Sequence, residues 1–177
     1  DPDRWREVIL VGIPKVGKES GFNACRYIAL SPVMQKWYIR TLVAADREKR
    51  RQYKANLLGY EPHHSSLDIT ETIRTVLAKT HEWGIPAFIG TADIATAFDQ
   101  VEHKDLEAAL HGRGIHPSFV RAYFQEIHEV HATLASPGAE PSEPFPYQQG
   151  IKMGGVDGTD NFNAVLEDAL GELAQQW

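Results

Sequence analysis

The sequence predicts an α+β or α/β fold with a small sheet. Short apolar runs bounded by proline and glycine alternate with longer stretches whose apolar residues recur every three or four positions. No linker and no internal repeat divides the 177 residues, and 42% hydrophobic with 24% charged residues describes a chain that folds.

In chain order, Val8–Ile13 (VILVGI) is a continuous apolar run ahead of Pro14 and Gly17, the pattern of a buried strand. Ser31-Pro32 predicts an N-cap followed by proline in the first helical position. The helix it opens carries Val33, Met34, Trp37, Tyr38, Thr41, Leu42 and Ala45 at helical spacing and runs into the basic stretch Asp46–Lys54. After a turn at Gly59–His64, Ser65 or Ser66 caps a second helix, with Leu67, Ile69, Ile73, Val76, Leu77 and Trp83 inward and Gly84 as its stop. Pro86–Asp93 (PAFIGTAD) predicts a second buried strand ending on a carboxylate. A short helix follows from about His103 to His111, and another from His116-Pro117 with Phe119, Val120, Tyr123, Phe124 and Ile127 as its apolar face. Ser136–Pro144 has loop composition and joins two strands, Val130–Ala135 and Phe145–Ile151. Beyond the glycine-rich Gly150–Gly158, a last helix places Phe162, Val165, Leu166, Ala169, Leu170 and Leu173 on one face.

Composition excludes some functions. No apolar run approaches the roughly 18 residues a membrane span needs. The single Cys25 excludes an internal disulfide framework and a cysteine zinc site, and the eight histidines show no ligand spacing. Gly12–Ser20 nearly spells a phosphate-binding loop, but Glu19 stands where the Mg²⁺-binding hydroxyl belongs and Pro14 removes an N–H from the cradle. No signal segment is visible, so an intracellular protein is expected. The net charge of −6 divides unevenly: residues 1–60 hold 12 Lys+Arg against 6 Asp+Glu, and the remainder 6 against 18. Arg47, Lys49, Arg50, Arg51 and Lys54 form the densest basic run, the candidate nucleic-acid contact, although a solvated helix face gives the same pattern.

The most informative stretch is Asp93–Leu106 (DIATAFDQVEHKDL). A carboxylate ending a buried strand needs a cation or donors, so Asp93 is a candidate Mg²⁺ ligand or, like Asp99, a helix cap. Asp93, Ile94, Ala97, Phe98, Asp99, Val101, His103 and Leu106 together resemble the palm motif of reverse transcriptases of non-LTR retrotransposons and group II introns. Similarity continues in order: Ile13-Pro14-Lys15 with Arg26, Ile28, Leu30 and Lys36 resembles the fingers, Gly59–Asp68 a following motif, and Gln149–Glu167 the glycine-rich turn and its helix. The resemblance implies an α+β right-hand fold, with fingers over 1–84, partial palm over 85–177 and a small antiparallel sheet packed with helices, as one unit without a linker.

It also implies template-directed nucleotidyl transfer assisted by Mg²⁺. Asp93 and the Ile94 carbonyl would hold metal, Lys15 and Arg26 would meet the triphosphate, Phe98 would exclude a ribose 2′-hydroxyl, and Gly154 would let backbone approach the nucleotide. RNA or DNA would be the partner. Three departures qualify this. Met153 replaces the turn's usual glutamine, Val156 and Gly158 replace its usual proline and serine, and no Asp-Asp pair occurs anywhere. One carboxylate cannot hold two Mg²⁺ ions, so the chain is expected to be inactive alone and to use Mg²⁺ only with a segment it lacks. The alternative is a derived, non-catalytic subunit whose partners are proteins of a larger assembly.

Overall fold

The computed structural model describes residues 5–17, 24–50, 57–60, 63–136 and 140–174. Among these the fold is mixed α+β, with a small four-stranded sheet and six helices. Strand β1 (Glu7–Pro14) forms a hairpin with β2 (Cys25–Leu30), in register from Ile9↔Leu30 to Pro14↔Cys25. On its other side β1 pairs in parallel with β3 (His131–Ala135), which pairs antiparallel with β4 (Phe145–Pro146). The sheet is therefore mixed, which corrects the expected antiparallel one. A parallel pair needs a long crossover, and the helical stretch between β2 and β3 supplies it.

β1 is half-buried rather than covered on both faces. Val8 and Gly12 point to the core, while Ile9 and Ile13 stay 48% and 47% exposed. A continuous apolar run signals two-sided burial only where a second layer exists. β4 is only two residues long instead of the expected seven. Pro144 and Pro146 have no N–H to give the ladder, and the Tyr147 N–H bond to Val130 O (2.9 Å) is the last link.

The helices are α1 (Val33–Ala45), α2 (Arg47–Arg50), α3 (Ser66–Trp83), α4 (His103–Gly112), α5 (Pro117–His128) and α6 (Gly158–Ala174). None of these is long and apolar enough to cross a membrane. The main core joins Ile39 and Leu42 of α1, Leu106 and Leu110 of α4, and Val120, Tyr123, Phe124 and Ile127 of α5. Tyr123 and Phe124 are core residues, as their spacing predicts. A separate, smaller cluster gathers Val8, Ala29 and Val130, with Leu10 and Tyr147 packed against it.

Local signals set several helix ends. Ser65 Oγ accepts from Leu67 N–H (3.2 Å), Asp68 accepts from Ser65 N–H (2.8 Å), and Gly84 closes α3 at φ +65°. His116 caps α5 ahead of Pro117. Pro32 is itself the N-cap of α1, with no side-chain cap from Ser31, one residue off the expected start.

Helix faces depart further from the pattern. α1 buries Gln35, Ile39, Leu42 and Val43 and leaves Val33, Met34 and Trp37 outside. α3 buries nothing. α6 buries Asn161, Asn163, Ala164 and Glu167, leaving Ala169, Leu170 and Leu173 exposed. In α1 the buried face keeps Ile39, Leu42 and Val43 and adds Gln35. In α6, Asn161, Asn163 and Glu167 are buried against polar partners, and Phe162 and Val165 are only partly buried against the core.

The expected strand over Pro86–Asp93 does not form. Residues 85–94 are exposed and form neither helix nor strand, and no strand lies beside them among the described residues. Strand structure is a property of a pair, so apolar, β-branched composition alone cannot create it.

Candidate functional site

Three separated stretches converge near Phe98: the β1–β2 hairpin, the turn at residues 95–100, and the glycine-rich segment ahead of α6. Gly150 N–H donates to Val101 O (2.9 Å), Ile151 N–H to Phe98 O (2.8 Å) and Ala29 N–H to Met153 O (2.8 Å). Phe98 stacks on Phe162 of α6, ring centres 4.9 Å apart. Gly154, at φ +101°, lies against β2. A Cβ there would meet Ile28 Cγ2 at 3.1 Å and Ala29 O at 3.2 Å, so its glycine is required by chain packing.

Asp99 is the charged centre of this junction. Partial burial raises its carboxyl above the ordinary range, and the cation of half-buried Lys15 pulls it back only in part. Tyr147 alongside is pushed up to about 12 by burial and then by the Asp99 charge. A carboxylate with a raised folded-state pKa is at no disadvantage below its unfolded value of 3.8 and costs stability as pH rises through the folded value. Asp99→Asn is therefore expected to melt higher than the native chain at pH 7. The difference should vanish in melts below about pH 4, where both states bind the proton.

The remaining expected site residues are not gathered here. Asp93 and Ile94 lie in the exposed segment, Ile94 at 51% exposure, and no described group of three or more His, Cys, Asp or Glu can hold a metal ion. Arg26 is exposed on β2 opposite Ile13. His128, at the end of α5, stacks on His103, 5.6 Å away.

The basic run is divided. Arg47 and Lys49 are exposed, with Lys49 Nζ on Gly114 O (2.9 Å) and near Asp46 (3.6 Å). Arg51 and Lys54 lie outside the described residues. Arg50 is 2% exposed and faces the interior, which corrects its expected place on a nucleic-acid face. Its Nη1 donates to Asn161 Oδ1 (2.9 Å), and Asn161 Nδ2 donates to Tyr123 Oη (2.8 Å) and Asp157 Oδ2 (2.9 Å). Tyr123 O–H also donates to Asp157. Burial, then the charge of Asp157, pushes Tyr123 well above its usual value. Lys152 is lowered by burial, with Asp157 and Glu126 opposing.

This network was hidden by the basic run around Arg50. The signal that could have found it is Asp157 and Asn161, polar residues one helical turn apart at the entry to α6. Asp157, Asp160 and Glu167 are 3%, 8% and 5% exposed, so they are structural groups rather than a surface field. Glu167 answers Arg113, whose Nη2 lies 2.6 Å from it. No protein-family model matches the chain, and no curated protein matches it.

Proposed function

We propose that this chain is a reverse transcriptase-like fingers and partial-palm unit, able to meet a nucleoside triphosphate and unable to polymerise alone. The observation that carries this is the convergence of three motif-bearing stretches. The Lys15 hairpin, the Phe98-Asp99 turn and the Gly150–Gly158 segment are far apart in sequence and joined by backbone hydrogen bonds and the Lys15–Asp99 attraction. Lys15 would meet phosphate charge, and Asp99 would orient it. Asp93 would hold Mg²⁺ with Ile94, which needs further carboxylates beside it.

The test has two arms. With Mg²⁺, primer, template and deoxynucleoside triphosphates, the chain alone is expected to give no extension; extension that Asp93→Asn abolishes would show it to be complete. Triphosphate with Mg²⁺ is expected to shield Lys15 from amine acylation while leaving Lys79 of α3 unchanged. Equal labelling of Lys15 with and without triphosphate removes the nucleotide reading. A non-catalytic subunit role is the second reading, favoured by the uncovered apolar side chains of α1, α3 and residues 85–94. Binding to nucleic acid through Arg47 and Lys49 would weaken steeply with salt, and a flat salt response would exclude it.

A further inference from the structure

We propose that the chain pairs with a second copy of itself, in a two-fold contact built on α3 and the exposed segment after it. The proposal does not depend on the polymerase reading.

α3 has 18 residues and buries none of them. A lone helix of that length is marginal in water, and helices in proteins gain most of their stability by packing an apolar face. Helical geometry places Ile69, Ile73, Val76 and Trp83 on one stripe, exposed by 49%, 38%, 46% and 63%. Phe88 at 96% and Ile89 at 50% extend the apolar surface into the following segment. With their apolar neighbours these side chains expose on the order of 800 Å². That is about what one partner gives a standard interface, roughly 800 Å². A lone soluble protein rarely leaves so large an apolar patch open.

Charge selects the occupant. The charges of α3 answer one another along the helix: Arg74 with Glu71 at 3.1 Å, and Lys79 with Glu82 at 2.7 Å, Lys79 also lying over the Trp83 ring, 5.8 Å from its centre. Residues 83–92 carry no charge at all. A nucleic acid or a strongly charged protein surface would find little here to answer it. The uncharged segment 83–92 turned on itself by a two-fold axis meets no like charges. Residues 87–92 are exposed, outside any helix, and have no strand beside them among the described residues. The equivalent segment of a second copy supplies an antiparallel partner for their backbone.

Sedimentation velocity on the full chain, over roughly 1–100 μM, reads the proposal directly. A reversible monomer–dimer equilibrium is expected. Phe88→Asp and Ile73→Asp should each weaken it by about 100-fold or more, as loss of a buried apolar anchor does. Ile9→Asp, the same change on the exposed face of β1, should leave the dimer intact, and unchanged near-ultraviolet dichroism should show the fold kept. A wild-type monomer throughout the range overturns the proposal, whether or not another polypeptide then occupies the face. So does a dimer that survives both α3-side substitutions, or association without defined stoichiometry.

Discussion

Arg50→Ala is expected to lower the melting temperature by on the order of 10 °C, from a loss of about 3–5 kcal/mol. Arg50 is a buried cation whose Nη1 donates to Asn161, and Asn161 in turn serves both Tyr123 and Asp157. Removing the guanidinium leaves Asn161 Oδ1 without that donor and opens a space the size of the side chain. Its Nε and Nη2 have no hydrogen-bond partner among the described residues. The expected loss therefore comes mainly from the stranded Asn161 and the space left behind, and the intact network need not be strongly stabilising. Arg50→Met, which keeps much of the volume, separates the two effects: it should recover the packing and leave the stranded polar groups. Lys49→Ala, one residue away and half exposed, should change stability by less than about 1 kcal/mol. Thermal melts of the three variants at low and high salt decide the matter. The Arg50 effect should persist in salt because the group is buried, whereas a surface charge effect fades. Equal, salt-sensitive losses for Arg50→Ala and Lys49→Ala would return Arg50 to the surface.

Much of the fold is legible where structure is decided locally. Ser65, Asp68 and Gly84 fix both ends of α3, His116-Pro117 starts α5, and the apolar face of α5 is the one its spacing predicts. These signals act within a turn or two of chain, so one sequence carries them whole. Decisions made between distant residues are not legible. Whether Pro86–Asp93 is a strand depends on a neighbour, and whether α6 turns Asn161 or Leu170 inward depends on Arg50, over a hundred residues earlier. The candidate site divides the same way. The Asp93–Leu106 and Gln149–Glu167 stretches are readable as motifs, but the approach of Lys15 to Asp99 and the turning of Arg50 away from solvent belong to the tertiary fold.

Gly150→Ala is expected to destabilise the chain by about 2–5 kcal/mol, the sum of backbone strain and an overlap that cannot relax cheaply. Gly150 has φ +94°, where a side chain is disfavoured whatever the space around it. The space is also closed: a Cβ would lie 3.1 Å from Tyr147 Oη, 3.2 Å from Asp99 Cα and 3.3 Å from Phe98 O. Two of those three atoms are backbone, held in place by the bonds from Gly150 N–H to Val101 O and from Ile151 N–H to Phe98 O. Gly114→Ala is the matched control. Its φ is +68°, yet nothing lies within 4 Å of the added carbon, so only the conformational cost of about 1–2 kcal/mol applies. Gly150→Ala should thus lose about twice as much or more in chemical denaturation. It should also disturb the chemistry of the junction, because Tyr147 owes its pKa of about 12 to burial and to Asp99, and both depend on this turn holding Tyr147 against the Asp99 backbone. A spectrophotometric titration near 295 nm should show one tyrosine moving down toward the ordinary value of about 10 in Gly150→Ala and staying high in Gly114→Ala. If the two glycine variants lose the same stability and leave the tyrosine titration unchanged, Gly150 is an ordinary turn residue. The convergence of the three stretches at Phe98 and Asp99 would then not depend on it.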